Sequence, residues 1–184
     1  MKKQSFPSLG QMTAISLMSV VLILCSIITV PSIVPFTLQT FGVALAVGLL
    51  GIKSGLLSVV VYLLLGLIGL PVFAGMQGGV GVLLGPTGGY LIGFLPMVLL
   101  SGWLMKNKTK LWHRYLALVF GLLVDYAIGT LWYLFVYADS AGGIVPAITL
   151  CVLPYLLPDA LKLLGAALMI QKLKPYVKVE QWTY

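Results

Sequence analysis

Phe36-Thr37-Leu38-Gln39-Thr40-Phe41-Gly42-Val43-Ala44-Leu45-Ala46-Val47-Gly48-Leu49-Leu50-Gly51-Ile52-Lys53-Ser54-Gly55-Leu56 opens an apolar region that runs on to Leu70. How that region is divided decides the fold. A helix needs about 20 apolar residues to cross a bilayer, so the region is too long for one ordinary span. Gly51, Lys53 and Gly55 interrupt it near the middle. Read as two spans, it divides into Pro35–Gly51 and Ser54–Leu70.

Further apolar runs lie on either side: Gln11–Val30, Thr87–Met105, Tyr115–Ala138, and a last one within Pro146–Leu173. The predicted spans are therefore near 11–30, 35–51, 54–70, 87–105, 115–138 and 146/155–173. The lower bound of the last depends on whether its helix begins at Pro146 or near Pro154 or Pro158, because proline favours a first helical turn. The expected fold is an all-α membrane protein, a bundle of six transmembrane helices forming one domain over residues 1–184.

The positions of the charges test this count. Cytoplasmic loops carry an excess of Lys and Arg. With both termini cytoplasmic, the inner segments hold Lys2 and Lys3, then Lys53, then Lys106, Lys108, Lys110 and Arg114, then Lys172, Lys174 and Lys178. That is ten of the eleven basic residues. The eleventh, Lys162, falls within the last span. A single span over Phe36–Leu70 would move the 106–114 cluster outside and break the pattern.

Composition excludes the soluble alternatives. Hydrophobic residues make up 60% of the 184, and only 8% are charged, against about 25% in an ordinary soluble domain. No charge occurs from Gln4 to Ile52 or from Ser54 to Met105, so lipid is the expected solvent. The net charge of +7 would elsewhere suggest nucleic acid. Here the basic residues flank apolar runs, and no nucleic-acid partner is expected. Lys2 and Lys3 before an apolar run resemble a leader, but no small-x-small site closes the run, so a retained first helix is expected. Cys25 and Cys151 sit in apolar runs and read as buried free thiols. His113 stands in a basic loop without the Cys, His, Asp or Glu company that a metal needs.

The predicted outer loops, Pro31–Gln39, Pro71–Pro86 and Asp139–Val145, contain no basic residue, and the first two are rich in Pro and Gly. Apolar loops of that kind suit folding back over the bundle as a lid or a site wall. Gly85, Gly89 and Gly93 recur every four residues, a spacing that lets helix backbones approach closely in lipid. Gly85-Pro86-Thr87-Gly88-Gly89 lacks the Lys-Ser/Thr of a P-loop, so no ATP hydrolysis is expected of this chain. Trp132, Tyr133, Phe135 and Tyr137 read as an interfacial aromatic belt.

Three ionisable groups fall within spans: Asp125, Asp159 and Lys162. Such groups are costly in hydrocarbon and default to functional candidates. Asp159 and Lys162 are three residues apart and share a helix face, so their opposite charges offset each other's desolvation. Packing ion pair and ligand anchor are the two readings. Asp125 is compatible in equal measure with a structural hydrogen bond and with a site role.

Several strings resemble the BioY family. Pro35-Phe36-Thr37-Leu38-Gln39-Thr40-Phe41 is similar to its first-loop signature. Gly69-Leu70-Pro71-Val72-Phe73-Ala74-Gly75, then Gly78-Gly79, then Gly85-Pro86-Thr87-Gly88-Gly89-Tyr90-Leu91-Ile92-Gly93-Phe94 match further along, and Pro158-Asp159-Ala160-Leu161-Lys162 resembles the last-helix motif. The resemblance implies the substrate-binding (S) component of an energy-coupling factor (ECF) transporter in a prokaryotic cell membrane. Such a component binds biotin near the outer face and works with a transmembrane coupling (T) subunit and two cytoplasmic ATPase subunits. It implies no cofactor beyond the transported ligand. One departure is that Ala14 is followed four residues later by Met18, where such components often carry a second alanine.

Biotin has a ureido ring with two N–H donors and one carbonyl, an apolar sulfur ring and chain, and a terminal carboxylate. The residues expected to meet these groups are Gln39 and Gln77, which donate and accept; Phe73 and Tyr90, which cover the rings; Gly78, Gly79 and Gly85, which let the backbone come close; Asp159, which accepts from a ureido N–H or supports Lys162; and Lys162, which pairs with the carboxylate. The alternatives are an S component for another vitamin or a biotin precursor, and a membrane-embedded enzyme. The enzyme reading would rest on Asp125 and Asp159 sharing a proton, which Lys162 disfavours by keeping Asp159 ionised.

Overall fold

A computed structural model describes residues 7–31, 35–106, 109–137 and 142–177 of the chain. Lys2, Lys3, Lys108, Lys178 and Asp139 lie outside the described residues. The element order is α1 (Leu9–Ile27), β1 (Thr29–Val30), β2 (Phe36–Thr37), α2 (Gln39–Leu67), a 3-10 turn at Ala74–Met76, α3 (Val80–Leu83), α4 (Gly88–Met105), α5 (Leu111–Val136), α6 (Ile144–Cys151) and α7 (Leu153–Leu173). Five helical stretches among these are long and apolar enough to cross a membrane: α1, α2, α4, α5, and α6 with α7 taken together. The chain is a multi-pass membrane protein.

The decisive stretch is covered by the 29 residues of α2, which carries a break at Gly51 with φ +81° and ψ −175°. In one straight helix Gln39 and Tyr62 would stand about 35 Å apart, at about 1.5 Å per residue. Instead the Gln39 side-chain amide donates to the Tyr62 hydroxyl. Gly55 likewise lies against the backbone of Ala46 and Val47. The chain therefore reverses at Gly51, and residues 39–50 and 52–67 run side by side. A residue with a Cβ at this φ would be strained, which is why the turn falls on glycine.

Element ends differ from the sequence reading in physically clear ways. Helix α1 starts at Leu9 because Ser8 and Gln11 form a capping box. It stops at Ile27 because Thr29–Val30 pairs antiparallel with Phe36–Thr37. The predicted span 35–51 thus begins only at Gln39, its first four residues having gone to that short hairpin and its turn. The last span is split into α6 and α7 at Val152. Pro154, two residues on, has no N–H to donate and occupies the first turn of α7.

The core is continuous through the bundle, with Leu22, Val43, Tyr62, Met97, Leu118, Leu163 and Ile170 fully buried. Ser19 ties α1 to the second arm of α2 by donating to the Ser58 carbonyl at 2.9 Å. At one end of the bundle Gly102 packs on Ile52 and Gly48 on Ile170. Lys53, Lys106, Lys110, Arg114, Lys172 and Lys174 belong to this end. Burial, and then the charge of Arg114, hold the Lys174 ammonium below its ordinary pKa. At the opposite end Phe73 seats on Gly66 and Trp132 on Gly89. The Gly89–Gly93 stripe brings α4 against α5, as the four-residue spacing suggests.

Candidate functional site

The end away from the basic cluster holds a cavity of about 550 Å³. Its walls come from the hairpin region, the start of α2, the 71–87 loop, and facing sides of α4, α5 and α7. Gln39, Phe73, Gln77, Gly78, Gly85, Tyr90, Asp159 and Lys162 all line it, and so does Asp125. Gly79 does not. Its N–H instead donates to the Gly66 carbonyl at 2.7 Å, so its place is in fastening the loop to the end of α2. None of Trp132, Tyr133, Phe135 and Tyr137 lines the cavity. Trp132 spans from α5 to the loop, donating to the Gly85 carbonyl at 3.0 Å.

The polar centre is built around Asp159, which is 4% exposed. Lys162 Nζ donates to its Oδ1 at 2.6 Å, as the one-turn spacing on α7 predicts. Thr40 of α2 donates to the same oxygen at 3.3 Å. Tyr126 of α5 donates to Oδ2 at 2.6 Å. Three helices thus converge on one carboxylate. Lys162 also donates to the Thr37 carbonyl at 2.6 Å and lies 3.7 Å from the centroid of the Phe36 ring. Phe36 in turn stacks on Tyr155. The ammonium is the cation among the cavity-lining residues, and it is held by a carboxylate, a carbonyl and an aromatic face.

The flanking groups are less free than their types suggest. Gln39 accepts from the Thr37 hydroxyl at 2.8 Å and donates to Tyr62. Its amide therefore braces the hairpin while it lines the cavity. Phe73 is 1% exposed, with its ring edge-on to Tyr62 and seated where a Gly66 side chain would be. Its N–H donates to the Gln77 carbonyl at 2.9 Å, closing residues 73–77 into a tight turn over the cavity. Tyr90 shares a hydrogen bond with Thr130 at 3.2 Å.

Tyr126, Thr37, Thr40, Phe36 and Tyr155 contribute to this centre without having been singled out by sequence. The threonines and Phe36 do stand within the quoted Pro35–Phe41 string. Tyr126 had only the signal of being a polar neighbour of Asp125 in an apolar helix.

Comparison with known proteins settles the lineage. The BioY family profile matches residues 1–179. This chain belongs to the BioY family. The resemblance read from the Pro71–Phe94 and Pro158–Lys162 strings is thereby borne out. Among its BioY relatives, the probable biotin transporter BioY of Pyrococcus horikoshii is 43% identical over 141 residues, covering 77% of this chain and 81% of that one. The biotin transporter BioY of Thermotoga maritima is 45% identical over 142 residues, with the same coverage. The crystal structure of an S-component for biotin from an ECF-type ABC transporter superposes with a TM-score of 0.82. It is 29% identical and covers 90% of both chains.

Proposed function

We propose that this BioY protein binds biotin in the cavity and carries it inward as the S component of an ECF-type transporter. It is a transport subunit and not an enzyme. The observation that carries the reading is the partly satisfied ammonium of Lys162 in a cavity whose other lining is largely apolar. An ammonium has three N–H donors. Two are directed at Asp159 and Thr37, and the Phe36 ring lies 3.7 Å away; an aromatic face is a weaker partner than a carboxylate, so the third N–H is the one to meet the acid end of a ligand. The volume lies within the range of roughly 300–1,000 Å³ typical of small-molecule sites. The names of the relatives and of the structural neighbour supply the ligand.

Within that reading, Lys162 meets the valerate carboxylate, and Phe73, Tyr90 and Phe94 cover the rings. Gln77, Gly78 and Gly85 line the path of the backbone past the ligand. The reversal at Gly51 supports six crossings, with the two arms of α2 counted separately. The basic end then faces the cytoplasm with both termini, and the cavity opens outward. A T subunit and two ATPase subunits supply the energy, since the chain carries no P-loop sequence.

Equilibrium binding of labelled biotin to the purified protein, in competition with a panel of other vitamins and with desthiobiotin, tests the assignment. Saturable binding displaced by unlabelled biotin alone is expected. Displacement by a different vitamin would reassign the ligand.

A further inference from the structure

The cavity contains a second carboxyl group that the polar centre does not use. Asp125 of α5 is 2% exposed and lines the cavity. Its Oδ1 is buried with no hydrogen-bond partner among the described residues. It stands over Gly93 of α4, where a Cβ would overlap Oδ1. The two helices leave room for a carboxyl group whose Oδ1 meets no hydrogen-bond partner among the described residues. Leaving such a group buried and unpaired is costly unless something that binds there pairs with it.

We infer that Asp125 is a specificity-determining residue, accepting a ring N–H of the ligand's cyclic urea. The inference rests on the reading of the cavity as a biotin site. It follows from the state of the alternatives. Asp159 already accepts from Lys162 and Thr40 on one oxygen and from Tyr126 on the other. Gln39 has its carbonyl taken by Thr37. A cyclic urea brings N–H donors that lose water on entering the cavity, so each needs an acceptor there. Asp125, whose Oδ1 has no hydrogen-bond partner among the described residues, is the acidic acceptor left in the lining. Lys162 and Asp125 then divide the ligand, the cation at its acid tail and the carboxyl at its ring.

The test pairs protein and ligand changes. Biotin and two analogues, methylated at one or the other ureido nitrogen, are titrated into wild-type protein and into Asp125→Leu and Asp125→Asn. In wild type, methylation of one nitrogen is expected to weaken binding about tenfold or more. In Asp125→Leu, biotin itself should bind about tenfold or more weakly, and the penalty of methylation should vanish. The ligand-free melting temperature should hold or rise in Asp125→Leu, because an unpaired buried carboxyl is gone; a merely structural aspartate would make it fall. Asp125→Asn, which keeps shape and one acceptor, should lie between, and it preserves the test if Asp125→Leu does not fold. Wild-type affinity in both variants, or an equal methylation penalty in wild type and variants, overturns the inference. If wild type binds biotin and Lys162→Ala does not, while the Asp125 variants behave as wild type, only this assignment fails. If wild type binds no biotin, the reading of the cavity fails with it.

Discussion

Lys162, on the last helix, donates a hydrogen bond to the backbone carbonyl of Thr37, 125 residues earlier in the chain, at 2.6 Å. The contact joins α7 to the strand hairpin that precedes α2. The ammonium is therefore a structural tie as well as the cavity's cation, and its removal should affect both properties.

For Lys162→Ala, biotin affinity should fall by roughly 2–5 kcal/mol, because Asp159 is left buried without its cation. Isothermal titration of the purified protein reads this directly. Asp159→Ala should lose a comparable amount for the mirror reason. Wild-type affinity in both variants would remove the pair from the site.

Tyr126→Phe deletes the hydroxyl that donates to Asp159 Oδ2 and leaves the ring in place. The loss should be smaller, about 1.5–3 kcal/mol, as for a hydrogen bond to a charged group. It should appear in ligand-free thermal stability as well as in affinity, since the bond exists without ligand.

Gly66→Ala places a methyl group where the Phe73 ring sits. The ring must leave its seat against Tyr62, and the 73–77 turn moves with it. Overpacking of this kind costs about 1–3 kcal/mol. A lower melting temperature together with a faster off-rate for biotin is expected; a change in melting temperature alone would show that the turn does not cover the ligand.

Gly51→Ala meets a different obstacle, a backbone at φ +81° with open space around it. The strain should lower stability by about 1–3 kcal/mol, with biotin affinity of the folded fraction unchanged. The reversal also sets topology. In a background lacking Cys25 and Cys151, single cysteines at Lys53 and Gly75 should react with a membrane-impermeant maleimide from opposite sides of the bilayer. Labelling from the same side would contradict the crossing assigned to residues 52–67.

The sequence carries the helices plainly, because apolar runs punctuated by Gly, Pro and basic residues have few other meanings. It also carries the Asp159–Lys162 contact, since three residues on a helix fix two side chains on one face. What it does not carry are partners set by packing. Thr40 and Tyr126 reach Asp159 across separations of 119 and 33 residues, and no local pattern encodes that meeting. Gln39 looks like a free amide until Thr37 and Tyr62 are seen to occupy it. The break at Val152 and the short hairpin of Thr29–Val30 with Phe36–Thr37 are too brief for periodicity to register. Gly79 stands beside Gly78 in the sequence, but its N–H faces the Gly66 carbonyl at the helix end behind the loop.

The one-residue reversal at Gly51 has a biochemical consequence. Proteases bind their targets as a run of extended chain, which surface loops supply and helices do not. Lys53 is exposed, yet helical residues flank it on both sides of the break. With the Lys53 end facing the cytoplasm, as proposed, trypsin applied to inside-out vesicles would meet an exposed lysine flanked by helix. Digestion should leave residues 39–67 as one uncut fragment.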